Sequence, residues 1–149
     1  MDKKIKSYLT DVEISDHEEM FNLGFPKFDE LCQNSQSPIE AIILLPTLGQ
    51  LDIGSSFAGY IQKHNGADGL KVLQKDRGGR LPCGKRFEIK TTQTFNGSSK
   101  QSIILAIYAT SPMFKKIETS PNVGVVVVLP GTVPAAEYCK KNWNPTILS

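Results

Sequence analysis

The chain has 149 residues, of which 40% are apolar and 21% charged, and carries a net charge of +2. That size suits a single domain over residues 1–149, and the composition excludes a disordered chain, a collagen-like repeat and a long coiled coil. So small a net charge does not by itself announce a nucleic-acid-binding surface.

The distribution of charge says more than its sum. Residues 11–40 hold eight acidic side chains and one basic one, Lys27, whereas residues 63–100 hold nine basic and three acidic ones. Those three are Asp68, Asp76 and Glu88. Cys32, Cys83 and Cys139 are widely spaced and form no CxxC pair, which argues against a disulfide framework and against a zinc site. The polar start of the chain lacks the apolar centre of a signal peptide, and the longest apolar runs, 41–45 and 123–129, are too short to cross a bilayer. A reducing, cytoplasmic setting with no membrane partner is expected.

In chain order, the first third reads as helical and acidic. Asp16 stands before His17-Glu18-Glu19, apolar positions follow at Met20, Phe21, Leu23 and Phe25, and Pro26 is expected to break the run. Ser37-Pro38 opens residues 39–45, where periodicity does not separate strand from buried helix; a helical turn is the favoured reading. Residues 53–64 read as a helix, with Phe57, Tyr60 and Ile61 at i, i+3 and i+4, a cap in Gly54-Ser55-Ser56 and a stop at Asn65-Gly66. Residues 70–76 and 85–92 have β character and flank a Gly- and Pro-containing turn at 78–84, which predicts an antiparallel hairpin. After a polar loop at 96–100, residues 102–109 form a further strand. Residues 122–129 form another, whose unalternating valines suit a strand covered on both faces. Residues 134–143 close the chain as a helix. Helices followed by a hairpin and strands predict an α+β domain with a mixed sheet.

Side chains alternate across a strand, so Glu88 and Lys90 are expected on one face and Phe87 and Ile89 on the other. Folding the hairpin brings Asp76 towards Glu88. Two neighbouring carboxylates repel each other unless a cation lies between them, and hard oxygen ligands suit Mg²⁺. Such an ion polarises a phosphodiester and supplies a nucleophilic water, while Lys90 is placed to stabilise charge on the phosphate. The plainer reading of Glu88-Ile89-Lys90 is a charge pair on a solvated strand face. Arg77, Arg80, Lys85, Arg86 and Lys100 flank the site and could bind phosphates, although for each one singly a solvated charge on a hairpin tip is the better account. Gly78-Gly79-Arg80 lacks the Lys-Ser/Thr of a P-loop. His17 and His64 have no Cys partner at metal-ligand spacing and are expected at the surface.

The succession of helix, turn, strand ending in Asp76, Gly-containing loop and Phe87-Glu88-Ile89-Lys90-Thr91-Thr92 resembles the core of the PD-(D/E)XK nuclease superfamily. Within it, the stretch is similar to small homodimeric type II restriction endonucleases of the Pvu type, over about residues 57–110. The resemblance implies a restriction-endonuclease-like core with a central hairpin flanked by helices. It also implies a homodimer acting on double-stranded DNA, with Asp76 and Glu88 as Mg²⁺ ligands and Asp76, Glu88 and Lys90 as the catalytic set. Asp68 is a competing ligand. The sequence departs from the family pattern where Lys75 replaces the Pro before Asp76, where Gln62 stands on the preceding helix in place of an acid, and where Asn96-Gly97-Ser98-Ser99-Lys100 replaces a His cluster. Two alternatives remain open: a non-catalytic nucleic-acid-binding or phage accessory domain, and a repair or recombination nuclease of the same superfamily.

Overall fold

The computed structural model describes residues 5–36, 38–97 and 99–149. Of the stretches read above, Met1–Lys4, Ser37 and Ser98 therefore lie outside the described residues. Strand β1 (Lys6–Thr10) is followed by α1 (His17–Gln33), β2 (Ile39–Leu45), a 3-10 turn (Leu48–Leu51) and α2 (Ser56–Asp76). Then come β3 (Gly78–Arg80), β4 (Arg86–Thr91), β5 (Gln101–Ala109), α3 (Ser111–Thr119), β6 (Val123–Pro130), α4 (Val133–Asn142) and β7 (Thr146–Leu148).

Among the described residues the strands form one seven-stranded sheet in the order β3-β4-β2-β5-β6-β1-β7. Every pairing is parallel except β3 with β4. The class is thus α+β with a mixed sheet flanked by helices, as expected. The hairpin, however, lies at one edge of the sheet and not at its centre.

Two apolar clusters cover the two faces of the sheet. Met20, Phe21 and Phe28 of α1 and Phe57, Ile61 and Leu70 of α2 pack on Ile43, Leu45, Leu105 and Val127. Met113 and Phe114 of α3 and Cys139 of α4 pack on Leu44, Ile104 and Val126 on the other side. Consecutive residues of β2, β5 and β6 feed opposite clusters, which is why those strands read as unbroken apolar runs.

This double coverage overturns the helical reading of residues 39–45. They form β2, paired in parallel with β4 on one side and β5 on the other. Conversely, residues 70–76 are not a strand but the last turns of α2. Leu70 and Leu73 are buried, at 2% and 5% exposure, while Val72 is 47% exposed. The burial period is therefore three, not two. Gly66 does interrupt the helix where a stop was expected: its non-helical backbone (φ 76°) separates two helical segments, and the chain resumes as helix up to Asp76. Pro26 lies inside α1 without ending it. Asp16 and Ser55 cap α1 and α2 as their sequence contexts suggest, accepting from the amides of Glu19 (3.1 Å) and Ala58 (3.0 Å). No helix among the described residues is long and apolar enough to cross a membrane.

Candidate ligand-binding crevice

Glu88 and Lys90 do share one face of β4. Lys90 Nζ lies 3.5 Å from Glu88 Oε2, and both side chains are largely exposed. Phe87 and Ile89 point the other way, into the cluster beneath α1 and α2. Asp76 is the last residue of α2 and not the end of a strand. The chain then turns through Arg77, in the left-handed region at φ 52°, whose carbonyl accepts from the Ile89 amide at 2.8 Å. Gly78 is the residue paired with Glu88. The backbone of Asp76 thus arrives at the β4 edge by a helix end, two residues before the ladder position of Glu88. Asp68 lies two helical turns earlier on exposed α2 surface. Among the described residues no group of three or more His, Cys, Asp or Glu side chains could hold a metal ion. Of the five basic residues expected to flank the site, two are held by backbone carbonyls. Arg80 donates to the Gly84 carbonyl at 2.9 Å, and Lys85 donates to the Ser35 carbonyl at 3.2 Å.

A second arrangement emerges from the winding of the sheet. The connections leaving β1 and β2 run over the face covered by α1 and α2, whereas those leaving β5 and β6 run over the face covered by α3 and α4. In space β5 and β6 lie between β2 and β1. At the carboxyl edge of the parallel strands the loops therefore part to opposite sides between β2 and β5, and again between β6 and β1, as the walls of a crevice do. This is the topological switch point at which open α/β sheets hold their ligands. Residues 11–16 and 46–55 form one lip; residues 110 and 131–132 form the other. Each of the four helices begins at this edge, with Asp16, Ser55, Thr110 and Thr132 in the N-cap positions.

Tyr108 sits near the end of β5, where the register with β6 shifts, and its backbone is left-handed at φ 55°. Against burial, the Ser56 side chain at the start of α2 pulls its phenol down. The His17 ring lies 5.1 Å from its ring. Beside this group, Asp16, His17, Phe21, Ser56, Tyr60 and Lys63 line a cavity of about 370 Å³ between the first turns of α1 and α2. Ser56, Tyr60 and Lys63 follow at i, i+4 and i+7, so one stripe of α2 forms a wall.

Burial holds the Tyr108 phenol above its ordinary range, against the pull of the Ser56 side chain. Burial also raises Tyr60, helped by the charge of Glu18. At the mouth, Lys63 Nζ meets Glu18 Oε1 at 2.6 Å. That hydrogen bond lowers the Glu18 carboxyl and raises the Lys63 ammonium. Burial pushes the thiols of Cys32 and Cys139 up to about 12, so neither is a nucleophile at neutral pH.

His17, Ser56, Tyr60 and Tyr108 were not singled out from the sequence as a site. Gly54-Ser55-Ser56 was legible as a cap, and it would have read as a strand–glycine–helix turn had residues 39–45 been assigned to a strand. Tyr108 gives no sequence signal, because its backbone conformation depends on contacts with β6. Compared with protein-family models, curated proteins and solved structures, the chain matches none.

Proposed function

We propose that this chain binds a phosphate-bearing nucleoside in the crevice at the carboxyl edge of its sheet. The observation that carries the reading is the opposite departure of the β2 and β5 connections, which opens a cleft between adjacent parallel strands. The start of α2 supports it. Gly54 adopts φ 104° with nothing within 4 Å of where a side chain would stand, so backbone amides are open to close approach. The first amides of a helix lack intrahelical partners and favour an anion. The aromatic rings of His17, Phe21 and Tyr60 in the adjoining cavity offer apolar faces for a base.

Calorimetric titration with nucleoside mono- and diphosphates, against the nucleosides and inorganic phosphate alone, tests the reading. Saturable binding that requires both base and phosphate is expected. Ser56→Glu is the informative variant, since a carboxylate in the first turn favours the helix but repels a phosphate. It should weaken binding at least tenfold while leaving the melting temperature equal or higher. No saturable binding to any nucleoside phosphate at millimolar concentration, or binding indifferent to Ser56→Glu, would remove this reading.

A second reading rests on Glu88 and Lys90 sharing an open strand face next to the ladder that leads back to Asp76. In it the chain is a Mg²⁺-dependent endonuclease of PD-(D/E)XK type, a homodimer on double-stranded DNA, with a restriction-endonuclease-like arrangement of Asp76, Glu88 and Lys90. Asp76 and Glu88 would ligate the metal. Supercoiled plasmid incubated with the protein should then be cut in Mg²⁺, remain intact in EDTA, and be cut at least a hundredfold more slowly by Lys90→Ala. Plasmid left intact in Mg²⁺ sinks it. The three free thiols fit a reducing, cytoplasmic setting under either reading.

A further inference from the structure

A larger cavity, of about 510 Å³, opens away from the crevice, between the second half of α1, the middle of α2 and the turn after β3. It shares Tyr60 with the smaller cavity but faces a different part of the surface. Phe25, Leu73, Leu81 and Phe87 make its walls apolar, and Val72, 47% exposed, stands in its lining. Its volume lies within the range of small-molecule sites, which are apolar with a few placed polar groups.

Ring geometry narrows the ligand class. Phe25 and Tyr60 are stacked, their ring centroids 5.4 Å apart and their planes inclined by 15°, and Phe25 is likewise stacked on Phe57 at 17°. Phe57 lies outside the lining, so it is the Phe25–Tyr60 pair that offers near-parallel rings there, and such a pair suits another flat ring better than a branched aliphatic group. The α2 kink helps to shape the space. Asn65 and Gly69, either side of Gly66, both line the cavity, and a Cβ at Gly69 would meet the Asn65 Cβ at 2.7 Å.

The polar groups set the charge. Asp29 contributes a carboxylate, but its Oδ1 is engaged by the Cys83 amide at 3.0 Å. Arg80 donates through Nη1 to the Gly84 carbonyl at 2.9 Å, which fixes the guanidinium while using one of its five N–H donors. An aromatic carboxylate or sulfonate finds a fixed cation there.

We propose that this cavity is a binding site for a flat aromatic anion of about two fused rings, with the rings against the Phe25–Tyr60 stack and the anionic group on Arg80. The site shares the Tyr60 ring with the crevice cavity but does not rest on the nucleotide reading. Fluorescence titration of the folded protein with 8-anilinonaphthalene-1-sulfonate is the test, with variants checked by near-ultraviolet circular dichroism. One saturable site is expected. Val72→Glu should weaken it at least tenfold by bringing a carboxylate to the lining, and Arg80→Gln about tenfold. Both residues are exposed, so neither change threatens the fold. Ser56→Glu should leave dye binding unchanged. Non-saturating binding, indifference to both Val72→Glu and Arg80→Gln, or loss of binding in Ser56→Glu would each overturn the proposal.

Discussion

Tyr108 holds a left-handed backbone although a bulky side chain is disfavoured there. The conformation persists because its surroundings fix it: the ring packs against both His17 and Phe21. Residues in such sparsely populated regions concentrate at binding sites. Gly131, directly after β6, is the matching piece. Its amide donates to the Ala109 carbonyl at 2.9 Å, and a Cβ there would stand 2.8 Å from the Tyr108 carbonyl oxygen. A backbone atom has little freedom to retreat. Gly131→Ala should therefore destabilise the fold by about 1–3 kcal/mol, as overpacking does, and weaken any ligand held at the crevice. Urea denaturation and the nucleotide titration check the two effects; an alanine variant of unchanged stability would show that the contact at Tyr108 relaxes without cost. None of this could be read from Tyr108 or Gly131 singly. A strand residue with positive φ beside a glycine is a relation between two strands twenty-odd residues apart.

At the scale of elements, legibility followed burial. The valines of β6 and the apolar run of β5 were read as strands because their composition admits little else. Asp16 and Ser55 marked helix starts because capping is local chemistry. Two segments were exchanged. Residues 39–45 lack alternation because both faces are covered, and that removes the signal separating strand from helix. Residues 70–76 alternate superficially, Leu70 and Val72 against Lys71, while the buried pair is Leu70 with Leu73. The consequence for the site is direct. With α2 running to Asp76, that carboxylate comes from a helix end and not from a facing strand, while Glu88 lies beside Lys90. The alternation that set Glu88 and Lys90 on one face was correct, since β4 is half-buried and its period survives.

Two ion pairs join stretches of opposite charge that are distant in the chain. Acidic residues of the first third meet basic residues from elsewhere: Glu18 pairs with Lys63 at 2.6 Å, and Asp11 with Lys140 at 3.6 Å. The parallel architecture also decides where the sheet is vulnerable. β1 lies next to last in the order, covered on its outer side by the short strand β7 through the pairings Tyr8 with Thr146, Leu9 with Ile147 and Thr10 with Leu148. The Asp11 amide also donates to the Leu148 carbonyl at 2.9 Å. Removing residues 146–149 would convert β1 into an open edge, a template for pairing with a second chain. The first lip of the crevice begins at Asp11, so it would lose an anchor at the same time. The truncated protein is expected to melt lower, by about 2–4 °C for each kcal/mol of pairing lost, and to self-associate at concentrations where the full chain does not. Light scattering coupled to size exclusion, with a melting curve on the same samples, measures both. A truncated chain with the same mass in solution and the same melting temperature would show that β7 neither stabilises β1 nor shields it.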